Sequence, residues 1–247
     1  MQSVSMKNPV LTIILPTYNE ADIVMASLRL IAHDVGGLRG LTEIIFADDG
    51  SDNLPEVVAV ETPALGFHSV RVMRNISRLG KGKSIERAFH EAKGAISGFL
   101  DIDLSVSPEY IPQAVKIIEQ GNDICIATRV GSRWKSDPNW ATSFAATVFT
   151  FIHRRVIFAG LASFPDTQCG FKFFRHDVAR DLFMNLVATD GLTDLEVLLK
   201  ATRKGYKIAE VLVPRRSDRV GKRPLSKIFV RETVSLWQIF KKYRLSK

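Results

Sequence analysis

Cysteine is scarce in this 247-residue chain: the two present, Cys125 and Cys169, form no CxxC pair. A disulfide-stapled scaffold is excluded, and two thiols in a reducing compartment is the simplest reading. Long apolar runs are missing too. The longest stretch free of Lys, Arg, Asp and Glu runs from Pro138 to His153 and is of mixed polarity, whereas a membrane span needs about 20 apolar residues. Met1 to Pro9 shows no charged segment followed by an apolar one, so no secretory signal is read. Neither GxGxxG nor GxxxxGK[ST] occurs, which disfavours a Rossmann dehydrogenase and rejects a P-loop despite Gly80-Lys81-Gly82-Lys83. The five histidines are scattered without metal-ligand spacing, and internal repeats and low-complexity tracts are absent.

What is present is an ordinary folded composition, 46% hydrophobic and 24% charged, and at this length one large α/β domain is the starting assumption. The 34 Lys and Arg against 26 Asp and Glu give a net charge of +8, which favours an anionic partner. Its distribution says more. From Lys200 to Lys247 there are 15 basic and 3 acidic residues, a net +12, which leaves −4 on residues 1–199.

The first half alternates between two periods. Apolar, β-branched runs at Val10–Leu15 (stopped by Pro16), Glu43–Ala47, Ser69–Met73, Ile96–Leu100 and Asp123–Ala127 read as buried strands. Glu20–Ile31 (with Asn19 as N-cap), Ser84–Ala92 and Pro108–Glu119 read as helices. Strand, loop and helix in units of roughly 25–30 residues signal a mostly parallel, doubly wound sheet, in which ligands bind beyond the carboxyl ends of the strands. Each distinctive polar cluster falls at such an end: Thr17-Tyr18-Asn19-Glu20, Asp48-Asp49, Asp101-Ile102-Asp103 and Thr128-Arg129. They are expected to converge on one cleft.

Asp101 and Asp103 leave an apolar strand at i and i+2, on one side of the chain. They can hold a hard divalent cation completed by water and a diphosphate, or they can be acids in a solvated turn. Asp48 and Asp49 can accept hydrogen bonds from ribose or base, or can form an Asx turn with Gly50.

Taken together, Thr12–Glu20, Ala47–Asp52, Gly80-Lys81-Gly82 and Asp101-Ile102-Asp103 resemble the ordered motifs of the GT-A glycosyltransferases of family 2. Asp166-Thr167-Gln168-Cys169-Gly170-Phe171-Lys172 and Thr193–Leu199 are similar to the dolichyl-phosphate and polyprenyl-phosphate glycosyltransferases, nearest the dolichyl-phosphate glucosyltransferase type. The resemblance covers roughly residues 10–227 and implies a Rossmann-like, mostly parallel GT-A sheet flanked by helices in one domain. About 10–130 would be the nucleotide-sugar half, about 131–227 the acceptor half and 228–247 a basic amphipathic tail. It further implies metal-dependent, inverting transfer of a hexose from UDP-glucose or GDP-mannose to a polyprenyl phosphate, with Mg²⁺ or Mn²⁺ on Asp101 and Asp103. A family 2 enzyme acting on a soluble or polysaccharide acceptor is the alternative. Carried over by position, Pro16, Tyr18 and Glu20 flank the base, and Asp48 or Asp49 holds base or ribose. Lys81 contacts the nucleotide, Arg129 or Arg133 faces phosphate, and Asp194 is a base, an acceptor-positioning group or a structural contact. Gln168, Arg219, Lys222, Arg223, Ser226 and Lys227 are acceptor-side residues.

The dense basic stretch from Arg215 to Lys227 is either a solvated loop or one that closes on phosphates. It lacks a helix-turn-helix, zinc-finger or RNA-binding pattern, so no nucleic-acid partner is expected. Ser143–Phe158 and Ile228–Leu245 carry apolar faces (Val230, Val234, Trp237 and Phe240 in the second) beside basic residues. Such segments suit core helices or helices lying on an anionic leaflet. The expected location is the cytoplasm, peripheral at the cytosolic face of a membrane.

Overall fold

The computed structural model describes residues 8–52, 54, 58, 62–130, 161, 164–189, 191–214 and 225–244, with backbone alone for 62–63, 225–233 and 244. Arg133, the 143–158 segment, Arg219, Lys222 and Arg223 lie outside the described residues.

Strands β1 (Leu11–Thr17), β2 (Thr42–Asp48), β3 (Ser69–Arg74), β4 (Ile96–Leu100), β5 (Ile124–Val130), β6 (Phe171–Arg175) and β7 (Ile208–Pro214) form one sheet in the order β3-β2-β1-β4-β6-β5-β7. β6 runs antiparallel to both β4 and β5, and every other pairing is parallel. Helices α1 (Ala21–Asp34), α2 (Lys81–Glu91), α3 (Ile111–Glu119), α4 (His176–Leu182), α5 (Thr193–Lys204) and α6 (Leu225–Arg244) flank the sheet, with short 3-10 turns at Gly36–Leu41, Thr62–Leu65 and Pro108–Tyr110.

All seven residues of β1 are buried, as befits a strand covered on both faces. Leu11, Ile13 and Leu15 face a core shared with Val24, Leu28 and Ile31 of α1 and Ile111, Val115 and Ile118 of α3. Ile14 faces the other core, with Phe89 of α2, Leu182 of α4, Leu198 of α5 and Ile239 of α6. Phe89, Phe99, Phe174 and Phe183 pack there edge to face or stacked, with centroids 4.0–6.5 Å apart.

Three local expectations are corrected. β1 continues through Pro16 to Thr17, pairing Pro16 with Ala47. Thr17 turns its carbonyl to β2, where it accepts from the Asp49 N–H. Pro16 therefore directs its donorless nitrogen toward β4, whose ladder with β1 already ends at Ile14–Phe99, and no bond is lost. Asn19 is not the cap of α1. It sits at φ +54 with its N–H on Ser51 Oγ at 2.9 Å, and Glu20 takes the N-cap position without a side-chain cap bond; Asn is one of the few side chains that tolerates that left-handed backbone. Helix α2 begins at Lys81, three residues before the expected Ser84, so Lys81 and Gly82 belong to its first turn.

β4 meets β6 with Gly98 opposite Phe173. A Cβ at Gly98 would overlap the fully buried Phe173 ring. Gly98→Ala is expected to destabilise the fold by about 1–3 kcal/mol through overpacking, read as a lower urea midpoint; an unchanged midpoint would show that the ring relaxes freely.

Candidate active site

Chain order reverses between β1 and β4: β2 and β3 extend the sheet to one side, β4 and later strands to the other. A crevice opens at the carboxyl ends of strands at such a switch point. Tyr18–Glu20 leave β1 there, and Asp101–Asp103 leave β4. The antiparallel β6 begins at the same edge, which brings Asp166–Lys172 beside Asp101, while β5 delivers Arg129 from one strand further on.

The Asp101 loop is tightly held. The Asp101 N–H donates to the Gly170 carbonyl at 2.9 Å, the Leu104 N–H returns to the Asp101 carbonyl at 2.9 Å, and Ser27 Oγ on α1 donates to the Ile102 carbonyl at 2.6 Å. Ile102 is buried, so the aspartates on either side of it are the residues offered outward; Asp103 is exposed and accepts from the Ser105 N–H at 3.1 Å. Gly170 touches the Asp101 carboxylate so closely that a Cβ there would overlap it.

Lys81 Nζ lies 2.5 Å from Asp101 Oδ1. Burial would by itself lower the Lys81 pKa, but Asp101, Asp194 and Asp103 together hold it above the ordinary lysine value. Burial likewise pushes the Asp101 carboxyl up, and Lys81, Lys172 and Arg129 outweigh that and hold it below its usual range. Lys172 is completely buried. Its ammonium donates to Asp194 Oδ1 at 2.8 Å and to the Cys169 carbonyl at 2.7 Å. Arg129 forms a bidentate pair with Asp166, Nε to Oδ2 at 2.5 Å and Nη2 to Oδ1 at 3.0 Å. Its pKa is raised because Asp166, with Cys169 and Asp101, outweighs the opposing effect of burial. Burial pushes the thiols of Cys125 and Cys169 up to about 12 and about 11, which disfavours the nucleophilic thiolate at both.

On the other side of the crevice the two acids after β2 turn inward. Asp48, fully buried, accepts from the Ser51 N–H at 3.0 Å and from the Ser51 hydroxyl. Asp49 accepts from Asn75 Nδ2 at 3.0 Å and from the backbone N–H groups of Leu79 and Gly80 at 2.7 and 3.0 Å. Both carboxylates anchor the 51 and 75–84 loops from the place where one of them is expected to meet base or ribose. Tyr18 presents its ring to the Arg78 guanidinium, 3.9 Å from the centroid. Glu20 accepts a long bond from the Tyr18 N–H.

The residues fit a divalent cation. Mg²⁺ and Mn²⁺ take oxygen ligands, and a nucleotide-bound cation needs only one or two carboxylates from the protein. Asp101 and Asp103 supply that number, and no group of three or more His, Cys, Asp or Glu with metal-holding geometry exists among the described residues.

The sequence profile described as glycosyl transferase family 2 matches residues 12–183, well over half of the chain. The chain belongs to glycosyl transferase family 2. Among its relatives, the dolichyl-phosphate beta-glucosyltransferase of Drosophila melanogaster is 29% identical over 214 residues, covering 82% of this chain and 66% of that protein. The dolichol-phosphate mannosyltransferase of Pyrococcus furiosus is 29% identical over 206 residues, covering 81% and 54%. The chain spans from 32% to 66% of the length of such curated relatives. Glucosyl-3-phosphoglycerate synthase from Mycobacterium tuberculosis, solved with Mn²⁺, UDP and glucosyl-3-phosphoglycerate, superposes with a TM-score of 0.68 at 20% identity over 94% of this chain and 80% of that one. The mixed, mostly parallel sheet with flanking helices is thus the GT-A fold.

The family 2 match ends before α5 and α6, and both bear on the site. Glu196 of α5, fully buried, accepts from the Val187 and Ala188 N–H groups at 2.9 and 2.8 Å and from the Tyr243 hydroxyl of α6 at 2.8 Å. The 187–189 segment in turn takes the Gly82 N–H on the Thr189 carbonyl at 3.2 Å, and a Cβ at Gly80 or Gly82 would overlap it or Thr193. The C-terminal helix is therefore linked through Glu196 to the first turn of α2, which carries Lys81. Lys172 and Glu196 lie within Asp166–Lys172 and Thr193–Leu199 with no role expected of them; Lys172 alone carried a signal, as an ionisable residue in the otherwise apolar run 171–174. Gln168 is exposed beside Asp166, its N–H 3.3 Å from Asp166 Oδ1. Ser226 and Lys227 lie in the first turn of α6 rather than in a loop. On α6, Ser235 and Ile239 face the core while Val234 and Trp237 are 53% and 62% exposed, so the expected apolar face is divided between core and surface. Among the described residues no helix is long and apolar enough to cross a membrane.

Proposed function

We propose that this chain transfers a hexose from a nucleotide diphosphate sugar, UDP-glucose or GDP-mannose, to a polyprenyl phosphate, with inversion at the anomeric carbon. The observation that carries the reading is the meeting of Asp101, Asp103 and Lys81 at the β1/β4 switch point with the Arg129–Asp166 and Lys172–Asp194 pairs at the start of β6. One side of such a crevice suits an anionic donor and the other a phosphorylated acceptor.

In this account Pro16, Tyr18 and Glu20 border the base, while Asp48 and Asp49 shape its wall through the loops they anchor. Lys81 reaches the diphosphate. Asp101 and Asp103 would hold Mg²⁺ or Mn²⁺, which when bound supplies positive charge to the leaving diphosphate. The acceptor phosphate is already ionised near neutral pH, its second pKa being about 6, so its oxygen attacks the anomeric carbon without a strong base. The bond from that carbon to the diphosphate oxygen breaks, and its electron pair leaves with the nucleotide. Asp194, bonded to Lys172, positions the acceptor side rather than removing a proton, and Arg129 faces the acceptor phosphate. The relatives named for dolichyl- and dolichol-phosphate support the lipid acceptor. So does α6, whose exposed Val234 and Trp237, with Lys241 Nζ 5.3 Å from the Trp237 ring centroid, suit peripheral contact with an anionic leaflet.

The test is incubation with labelled UDP-glucose or GDP-mannose, Mn²⁺ and polyprenyl phosphate, followed by solvent partition. A Mn²⁺-dependent organic-phase product is expected. Label transferred only to a water-soluble acceptor would overturn the lipid acceptor, and no transfer from either donor would overturn the donor assignment.

A further inference from the structure

We infer that Lys81 is a placeholder for the divalent cation: in the unliganded protein its ammonium occupies the Asp101 carboxylate, and it moves to the donor diphosphate when cation and nucleotide bind together. The inference deepens the donor site proposed above and rests on it.

Asp101 is the fixed partner. Its backbone is bonded at both N–H and carbonyl, and Gly170 packs against its carboxylate without room for another group. The backbone of Lys81 is fixed as well. On one side the Gly80 N–H is held by Asp49 at 3.0 Å, and on the other the Gly82 N–H is held by the Thr189 carbonyl. What remains free to move is the four-carbon Lys81 side chain, 37% exposed, on a carboxylate that is itself 30% exposed. Exchange is then a side-chain rotation and needs no loop rearrangement.

Charge decides the order of events. Around Lys81 the lysines at 81 and 172 face the aspartates at 101, 103 and 194. These five groups carry one surplus negative charge, and it lies on the exposed Asp103 side. A divalent cation arriving alone must bind beside an ammonium that already neutralises Asp101, and the like charges repel. A nucleotide diphosphate gives Lys81 a second anionic partner, so its departure from Asp101 no longer leaves it unpaired. Cation and nucleotide therefore bind cooperatively, by a coupling that resides in one side chain. Asp103, exposed and bonded among the described residues by the nearby Ser105 N–H alone, is the oxygen donor open to the cation from the start.

The experiment measures Mn²⁺ binding to the full chain, with and without UDP, from the electron paramagnetic resonance signal of free Mn²⁺. Lys81→Gln is expected to bind Mn²⁺ alone about tenfold more tightly than the native chain, and to lose most of the gain that UDP confers. Lys81→Arg keeps the charge and the weak binding of Mn²⁺ alone. Asp103→Asn weakens Mn²⁺ binding in the presence of UDP by about tenfold or more. If Asp103→Asn behaves so but Lys81→Gln binds Mn²⁺ alone no better than the native chain, or Lys81→Arg binds it as well as Lys81→Gln, the placeholder is overturned and the donor site stands. If Asp103→Asn leaves binding with UDP unchanged, the donor site falls and the placeholder with it.

Discussion

Lys172→Met is expected to lower the free energy of unfolding by about 3–5 kcal/mol. Lys172 has no exposed surface, and its ammonium is the partner of both Asp194 and the Cys169 carbonyl. Removal leaves a buried carboxylate without its cation and a buried carbonyl without its donor, and each omission carries its own desolvation cost. The double variant Lys172→Met with Asp194→Leu removes both charges and is expected to recover most of the loss, because a buried ion pair replaced by apolar groups of similar size is close to neutral. The pair therefore serves geometry more than stability, holding the start of β6 and the N-terminal turn of α5 in register beside Asp101. Urea denaturation of the native, single and double variants reads this directly. A single variant within about 1 kcal/mol of native would mean that Asp194 finds another partner.

Asp103→Asn is expected to do the reverse, lowering kcat/KM by about 10³-fold while leaving stability within about 0.5 kcal/mol of native. The side chain is exposed and its contact is the Ser105 N–H, which an amide oxygen can still accept. What the amide cannot do is bring negative charge to a hard cation. Chelation of metal from the native chain should produce the same loss, and chelation should have little further effect on Asp103→Asn. Asp101→Asn differs, because it also removes the partner of Lys81 at 2.5 Å, and is expected to reduce both turnover and stability. A fall of less than tenfold in Asp103→Asn would place the charge neutralisation elsewhere.

The donor side of the crevice was legible in the chain because its signals are local. Apolar runs of β-branched residues marked β1, β2 and β4, and the acids that end them are adjacent in sequence to the strands that position them. The acceptor side was less legible. β6 is five residues long and antiparallel, inserted between β4 and β5, and nothing in Phe171–Arg175 announces its direction. Its effect is large, since it carries Asp166–Lys172 to the same edge as Asp101. Lys172 itself breaks an apolar run, a pattern that in isolation points to a strand with one solvated face, yet the lysine is internal and paired with Asp194 of α5. Asp48 and Asp49 show the same limit from the other direction. Their motif predicts carboxylates at the cleft, but it does not announce that they also anchor Ser51, Asn75, Leu79 and Gly80, groups up to 31 residues away that become neighbours only on folding. Pro16 misled for a related reason. Proline ends a strand when its nitrogen faces a partner, and here the partner strand has already ended.

The most direct measurement is a crystal structure of the chain with Mn²⁺ and UDP. The account predicts the cation in the β1/β4 crevice with an Asp103 carboxylate oxygen in its coordination shell at roughly 2.0–2.5 Å, the diphosphate on its far side, and Lys81 moved from Asp101 to a phosphate oxygen. A nucleotide bound away from that crevice, or a cation held without Asp101 or Asp103, would contradict it.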